Sequence, residues 1–243
     1  MKYNFAVIVP MANEQEDFQP FVSSLLEVLN MLECGKVYFI VDKVSNDNTL
    51  TLCNNLSELD KRFETVWAPE NKNVVDAYMR GYKEALKNDH EIIIEMDAGL
   101  SHDPRAIPMF LRVLNEGNEC AFGSRFINGG SIWDSNWKRT FLSKSGTIVS
   151  NLLLGSKMYD MTSGYQGFHA SIVEKFVTYG LLSKAHFYQT ELRYLLRKSR
   201  YAEIPIHYRA PSPSVSQKAI LNSFEVLFHY FLQRITGKAA KLS

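Results

Sequence analysis

The sequence predicts an α/β fold with a mostly parallel central sheet flanked by helices. Two observations carry that prediction. Short runs of strand character alternate with helical stretches through the first hundred residues, the order in which parallel strands and their crossover helices are laid down. Three of those runs lead into acids, Glu14, Asp42 and Asp97, at the strand ends where an open α/β sheet places its ligands.

Each element has its own reason. Phe5 to Val9 is apolar throughout and meets Pro10, as a strand buried on both faces should. A helix follows from about Asp17 to Leu32, with Phe21, Leu25, Leu29 and Leu32 at helical spacing, and Gly35 is expected to stop it. Lys36 to Val41 is the second strand, and the loop Ser45 to Thr49 feeds a helix over 49–59. A third strand covers Phe63 to Trp67. Asn73, in the next turn, is expected in a left-handed conformation. The helix after it carries Ala77, Gly81 and Ala85, small enough for close packing on the sheet. Then comes Glu91-Ile-Ile-Ile-Glu-Met-Asp97, a fourth strand ending at Asp97. Asp103-Pro104 suits a helix start, with Asp as cap and Pro at the first helical position.

The second half is less regular. A strand over Cys120 to Ser124 opens into Arg125, and a helix runs from about Lys138 to Leu154. Asp160 to Phe168 reads as loop or strand, Tyr188 to Arg200 as helix, Tyr201 to Tyr208 as the last strand. Pro211 to Ser216 is a polar extended loop. From Ala219 to Ile235, Ile220, Phe224, Leu227, Phe228, Phe231 and Ile235 recur at helical spacing, with cations following. That stripe reads as core, as a partner contact or as a bilayer-surface helix. The expected organisation is a main domain over 1–218 and a C-terminal amphipathic helix and tail over 219–243.

Bulk properties exclude several classes. With 46% apolar and 22% charged residues, 243 residues suffice for one large domain with a full core. A net charge of +1 lends nothing to a nucleic-acid partner. Three scattered cysteines, Cys34, Cys53 and Cys120, read as buried thiols in a reducing compartment. No leader pattern opens the chain and no run of about 18 uncharged apolar residues crosses it. The expected location is therefore cytoplasmic, with peripheral contact at a membrane surface.

Acids beside small-residue turns are what a diphosphate with a divalent cation requires. Mg²⁺ takes one or two carboxylates and completes its shell with water and phosphate oxygens. The chain has no P-loop, no GxGxxG after its first strand, no GxSxG elbow and no HExxH. By itself, Asp97 is equally well explained as a turn cap. His102 reads as a packing or hydrogen-bonding residue.

Six motifs in order then carry a resemblance: Pro10-x-x-Asn-Glu14, Asp42-x-x-Ser-x-Asp-x-Thr49, Asp97-Ala-x-Leu-Ser-His-x-Pro104, Gly123-Ser-Arg125, Asp160-x-Thr-Ser-Gly164 and Gln189-x-Glu191. From about residue 5 to 218 the chain resembles family 2 glycosyltransferases. Within them it is similar to the dolichol- or polyprenol-phosphate mannosyltransferase branch. The resemblance implies an A-type glycosyltransferase (nucleotide-diphospho-sugar transferase) fold, a nucleotide-sugar donor, Mg²⁺ or Mn²⁺, and inverting transfer to a lipid-phosphate or glycan acceptor. It places Pro10, Ala12 and Glu14 in the nucleotide pocket, with Val41 and Asp42 beside base or ribose. It sets Asp97, Ala98 and Gly99 against metal and diphosphate, with Asp97 the metal-side acid. Arg125 and Arg139 would hold phosphate groups, with Arg209 near the arginine position expected after the last strand; the alternative for Arg125 and Arg139 is a surface ion pair. Glu191 is the candidate base for a hydroxyl acceptor, or a helix-surface acid paired with Arg193 or Arg197.

The chain departs from that pattern at several places. Lys43 stands where a second acid is usual, Gly99 where the metal motif has its second Asp, and Asn73 where glycine is usual. Pro211 and Gln217 occupy the places of a downstream arginine and lysine. Two alternatives to a lipid-phosphate glycosyltransferase follow: transfer to a glycan hydroxyl, and a sugar-nucleotide-binding homologue with impaired turnover.

Overall fold

The structure, a computed structural model, describes residues 3–133, 137–209 and 217–242, with the backbone alone for Lys138 and Arg139. The first half alternates as expected: β1 (Phe5–Met11), α1 (Phe18–Leu32), β2 (Lys36–Val41), α2 (Thr49–Leu59), β3 (Phe63–Trp67), α3 (Val74–Lys87) and β4 (Ile92–Glu95). A 3-10 turn (Pro104–Ala106) leads into α4 (Ile107–Asn115). Then follow β5 (Cys120–Ser124), β6 (Ser131–Trp133), α5 (Trp137–Leu154), β7 (Gln166–His169), α6 (Ala170–Tyr179) and α7 (Tyr188–Leu195). The described chain closes with β8 (Tyr201–Pro205), β9 (His207–Arg209) and α8 (Gln217–Ile235).

Seven strands form the central sheet in the order β3-β2-β1-β4-β7-β5-β8. All its pairings are parallel except those of β7, which runs antiparallel to β4 and β5. The mostly parallel expectation holds, and the exception has a topological cause. The chain leaves β5 at Ser124, builds β6 and α5, and re-enters the sheet without a crossover to the other end. A strand entered that way must run backwards. β6 and β9 pair in parallel as a separate ribbon.

The core lies in two layers. One face of the sheet packs on α1, α2 and α4, the other on α3, α6 and α7. Gly81 is required by this packing, because a Cβ there would collide with the Ile8 side chain. Helix α1 ends at Glu33 in the left-handed conformation, so Gly35 only continues the turn. Asn73 is extended, not left-handed, and caps α3 through Oδ1, which accepts from the backbone N–H of Val75 and Asp76. β4 stops at Glu95, two residues short of Asp97. The expected last strand divides at Ile206 into β8 and β9, and α7 ends at Leu195. Cys53 and Cys120 are buried, whereas Cys34 is only half-buried. The polar loop over 211–216 lies outside the described residues.

Candidate active site

The carboxyl ends of β1, β2 and β4 lie side by side, since Pro10 pairs with Ile40, Met11 with Val41 and Ile8 with Glu95. Two loops extend from these ends and are stitched together. Asn13 takes a left-handed φ of 59°, and its Oδ1 accepts from the Asn46 N–H at 2.8 Å. The Glu14 N–H donates to Thr49 Oγ1 at 2.8 Å and the Gln15 N–H to Asp47 Oδ2 at 3.0 Å. Asp42 Oδ1 accepts from the Val44 N–H at 2.8 Å, closing its own turn. Ala12 and Lys43 are exposed, Val41 and Ala98 buried.

Asp97 is about one-third exposed. Its Oδ1 accepts from Tyr78 OH at 2.8 Å, and its backbone N–H donates to His102 Nδ1 at 2.9 Å. His102 is 1% exposed and stacked on Tyr165 with ring centres 4.8 Å apart. Burial lowers its pKa, so the ring is neutral, and an accepting Nδ1 leaves the proton on Nε2. His102 therefore shapes the Asp97 loop from behind. That matches the packing and hydrogen-bonding role expected of it.

Glu14 leans over the same loop. A Cβ at Gly99 would stand 2.8 Å from Glu14 Oε2 and 3.8 Å from Asp17 Oδ2. The Glu14 carboxylate therefore lies against the bare Cα of Gly99. Burial, and then the charges of Asp17, Asp97 and Asp47, push its pKa up to about 7. No donor reaches this carboxylate among the described residues, and no group of three metal-ligating side chains converges there. The donor set fits a hard cation that takes one or two carboxylates and draws its other ligands from a diphosphate and water.

A second, fully buried acid lies beneath. Glu95 accepts from Tyr82 OH, from Gln166 Nε2 at 2.5 Å and from Tyr188 OH at 3.3 Å. Burial dominates and raises its pKa to about 8. The Tyr188 ring packs 5.2 Å from that of Tyr78. Tyr78, Glu95 and Tyr188 were not flagged by the sequence. A polar residue inside an apolar strand was the available signal for Glu95.

In the second half Arg125 and Glu191 have partners inside the protein. Arg125 is 8% exposed and bidentate to Asp160, with Nε to Oδ2 at 2.8 Å and Nη2 to Oδ1 at 2.9 Å; Nη2 also reaches Thr162 Oγ1 at 2.6 Å. Burial by itself would raise the Asp160 pKa, but the Arg125 charge and hydrogen bonds overcome it and hold it at about 2. The surface-pair alternative for Arg125 is corrected: the pair exists and is buried. Glu191 is fully buried as well. Its oxygens accept from the Leu182 N–H at 2.8 Å, the Ser183 N–H at 2.9 Å and Tyr230 OH at 2.7 Å. The alternative pairing with Arg193 or Arg197 does not form. Arg193 instead donates to the Gly123 and Ser163 carbonyls, and Arg197 to those of Tyr194 and Ala240. The Arg139 side chain lies outside the described residues. Arg209 is exposed at the end of β9, whose backbone N–H meets the Ser101 carbonyl at 3.1 Å.

The model of glycosyl transferase family 2 matches residues 6–177. The chain belongs to this family. A polyprenol monophosphomannose synthase of Mycolicibacterium smegmatis is 28% identical over 96% of this chain and 87% of its own length. A dolichol-phosphate mannosyltransferase of Pyrococcus furiosus is 27% identical over 98% of this chain and 66% of its own. Among solved structures, the glucosyl-3-phosphoglycerate synthase of Mycobacterium tuberculosis with Mn²⁺, UDP and phosphoglyceric acid aligns at a TM-score of 0.63 and 13% identity, over 98% of this chain and 79% of that one. The same enzyme with Mn²⁺ and UDP-glucose aligns at 0.65 and 14%, over 96% and 79%. These likenesses establish the A-type fold for this glycosyltransferase.

Proposed function

We propose that this family 2 glycosyltransferase is an inverting enzyme that moves a hexose from a nucleotide-diphospho-sugar to a polyprenyl phosphate. The observation that carries the reading is the Asp97–Glu14 pair at the open end of the sheet, framed by loops stitched from β1 and β2. The lipid-phosphate relatives, matched over nearly the whole chain, support the choice of acceptor.

Asp97, with Glu14 beside it, would hold a divalent cation against the donor diphosphate. The cation supplies charge neutralisation on the departing nucleotide diphosphate. Pro10, Ala12, Val41 and Asp42 frame the nucleoside end, and Ala98 and Gly99 let the diphosphate approach backbone. An acceptor phosphate oxygen forms a bond to the anomeric carbon as the bond to the diphosphate oxygen breaks on the opposite face. A phosphate acceptor is already ionised and needs no general base. Glu191, with both oxygens engaged by backbone N–H groups and Tyr230, is then a tie and not a proton acceptor. Arg139 and Arg209 supply cations for phosphate groups of donor or acceptor.

A lipid acceptor has to be met at a membrane surface, and α5 with α8 offers one. Phe141, Leu142, Ile148 and Leu152 on α5 are exposed, as are Leu221, Phe224, Phe228 and Ile235 on α8. Arg234 Nη1 donates to the Leu152 and Leu153 carbonyls at 2.7 and 2.8 Å, locking the two helices together. Residues 137–157 carry four cations and no acid, and residues 217–243 four cations and Glu225. No helix among the described residues is long and apolar enough to cross a bilayer. The platform therefore suits peripheral binding to anionic lipid.

The test is release of nucleoside diphosphate from GDP-mannose or UDP-glucose with polyprenyl phosphate, with and without Mn²⁺. Release that disappears in Asp97→Ala supports the reading. Binding without release would make the chain an impaired homologue. Transfer to a glycan that is lost in Glu191→Gln would move the acceptor to a hydroxyl.

A further inference from the structure

The β6/β9 ribbon presents two different faces. Ile132 and Tyr208 form one, and Tyr208 turns towards His102 and the Arg125 guanidinium, at 5.4 and 5.5 Å. Ser131, Trp133, His207 and Arg209 form the other, by the alternation of a strand. Trp133, His207 and Arg209 of this second face line a cavity of about 160 Å³ together with Pro20 and Ser24 of α1 and with Leu100, Asp103 and Arg105.

Several features mark this cavity as more than a surface crease. Its aromatic wall is held in place. Ser131 Oγ and His207 Nδ1 are 2.7 Å apart, and the His207 ring lies 5.4 Å from the Trp133 ring at 32°. The indole is nonetheless 52% exposed, so it is backed on one side and open on the other. The ribbon is anchored to the loop that carries Asp97, through the Arg209 N–H to the Ser101 carbonyl and the bridge between His102 and Tyr208. The polar groups also differ in availability. Arg105 is engaged, with Nη2 on Glu27 Oε2 at 3.0 Å and Nη1 3.9 Å from Asp103 Oδ2. The Arg209 guanidinium has no partner among the described residues.

Size and chemistry select the ligand. Ligand pockets for drug-sized molecules run to about 300–1,000 Å³, and this cavity, at about 160 Å³, lies below that range. It has room for about five waters, which is the scale of one sugar ring. An indole backed by His207 offers an apolar face to the C–H side of a pyranose, Asp103 accepts from ring hydroxyls, and a guanidinium binds a phosphate oxygen in charge-assisted fashion. We propose that the Trp133–His207–Arg209 face is a subsite for a single hexose ring carrying a phosphate at its anomeric end. It rests on the sugar-transfer reading, and it assigns the sugar end of donor or product to this side of the Asp97 loop. Trp133 and Arg209 are specificity-determining residues here.

The experiment is titration of the full chain with mannose 1-phosphate, glucose 1-phosphate, inorganic phosphate, GDP and UDP, read by calorimetry and ligand-observed NMR. Wild type should bind at least one hexose 1-phosphate. Trp133→Ala should weaken that binding at least about fivefold, Trp133→Phe should restore most of it, and inorganic phosphate should be unaffected by either. Arg209→Gln should weaken hexose phosphate and inorganic phosphate alike, by about tenfold. Nucleoside diphosphate affinity should not change in the Trp133 variants. Trp133 and Arg209 are exposed, so each variant should fold, and unchanged melting temperatures check that. Hexose phosphate binding that Trp133→Ala leaves intact overturns the proposal, as does wild type that binds neither hexose phosphate. Trp133→Ala that instead reduces vesicle binding, with sugar binding intact, would make the indole a membrane contact and also overturn it. Absence of nucleoside diphosphate binding would sink the transferase reading while leaving the sugar-phosphate result to stand or fall separately.

Discussion

The two halves of the sheet use their charged residues in opposite ways. At the ends of β1, β2 and β4, Glu14 and Asp97 meet few protein donors and lie partly open. Around β5, β7 and β8, Arg125, Asp160, Glu191 and Arg193 are buried and joined to one another, to backbone groups or to Tyr230. The difference teaches how to read motifs of this kind. A carboxylate left without a donor in a polar cleft is available to a cation or ligand. One whose oxygens are saturated by N–H groups holds the frame. Both kinds stand out equally in a sequence.

The contrast can be broken most forcefully at Asp160. Asp160→Asn should cost about 3–5 kcal/mol, because it leaves the buried Arg125 charge uncompensated; chemical denaturation measures it. A loss under 1 kcal/mol would mean that Arg125 is free to serve a ligand. Glu191→Ala should follow, at about 2–4 kcal/mol, since two backbone N–H groups and the Tyr230 hydroxyl lose their acceptor. Glu191→Gln keeps one acceptor oxygen and should retain turnover per folded molecule. A kcat that collapsed in a fully folded Gln variant would return Glu191 to the chemistry.

Acid titration sharpens the same comparison. Asp160 is held at about 2 in the folded chain against an ordinary 3.8. A depressed carboxyl contributes stability that is fully present above the unfolded value and is lost as pH falls through the folded one. The chain should therefore lose about 2 kcal/mol between pH 4 and 2 from this group, and Asp160→Asn should flatten that part of the stability profile.

In the first half the expected effects on stability are small and those on ligands large. Asp97→Ala removes one tyrosine hydrogen bond, worth about 1 kcal/mol, and should abolish metal-dependent donor binding. The family pattern by itself predicts that Gly99→Asp tightens metal binding. The structure predicts otherwise, because the new Cβ would enter the space of Glu14 Oε2 and add a like charge. Tightening should appear only when Gly99→Asp is combined with Glu14→Gln, measured as Mn²⁺ affinity in the presence of GDP or UDP. Smallest of all, replacing exposed Phe224 and Phe228 by Ser should change stability by no more than about 0.5 kcal/mol. It should nevertheless remove flotation with anionic vesicles. Unchanged flotation would assign the stripe to a protein partner.

Much of the first half was legible because its signals are local. Continuous apolar runs, helical spacing and capping residues are short-range, and β2, α2 and β3 fall on their expected boundaries. Asp103 caps its turn as its neighbour Pro104 implies. The second half was less legible because its strands are short and its partners distant. β6 is three residues long, and β7 is Gln-Gly-Phe-His, too polar to announce a central strand. The splitting of the last strand depends on a pairing between residues 131 and 207 that no local pattern encodes.

By itself, then, the sequence determined the α/β alternation, the acids at the strand ends and the resemblance to family 2 glycosyltransferases, since these rest on order and spacing along the chain. Only the tertiary structure decided which charges remain open to a ligand. Arg125 is engaged by an acid 35 residues away and Glu191 by a tyrosine 39 residues away. Glu14 has no donor among the described residues, and its carboxylate lies against Gly99, which has no side chain. Availability depends on what fills the space around a group, and that is settled only when distant segments pack.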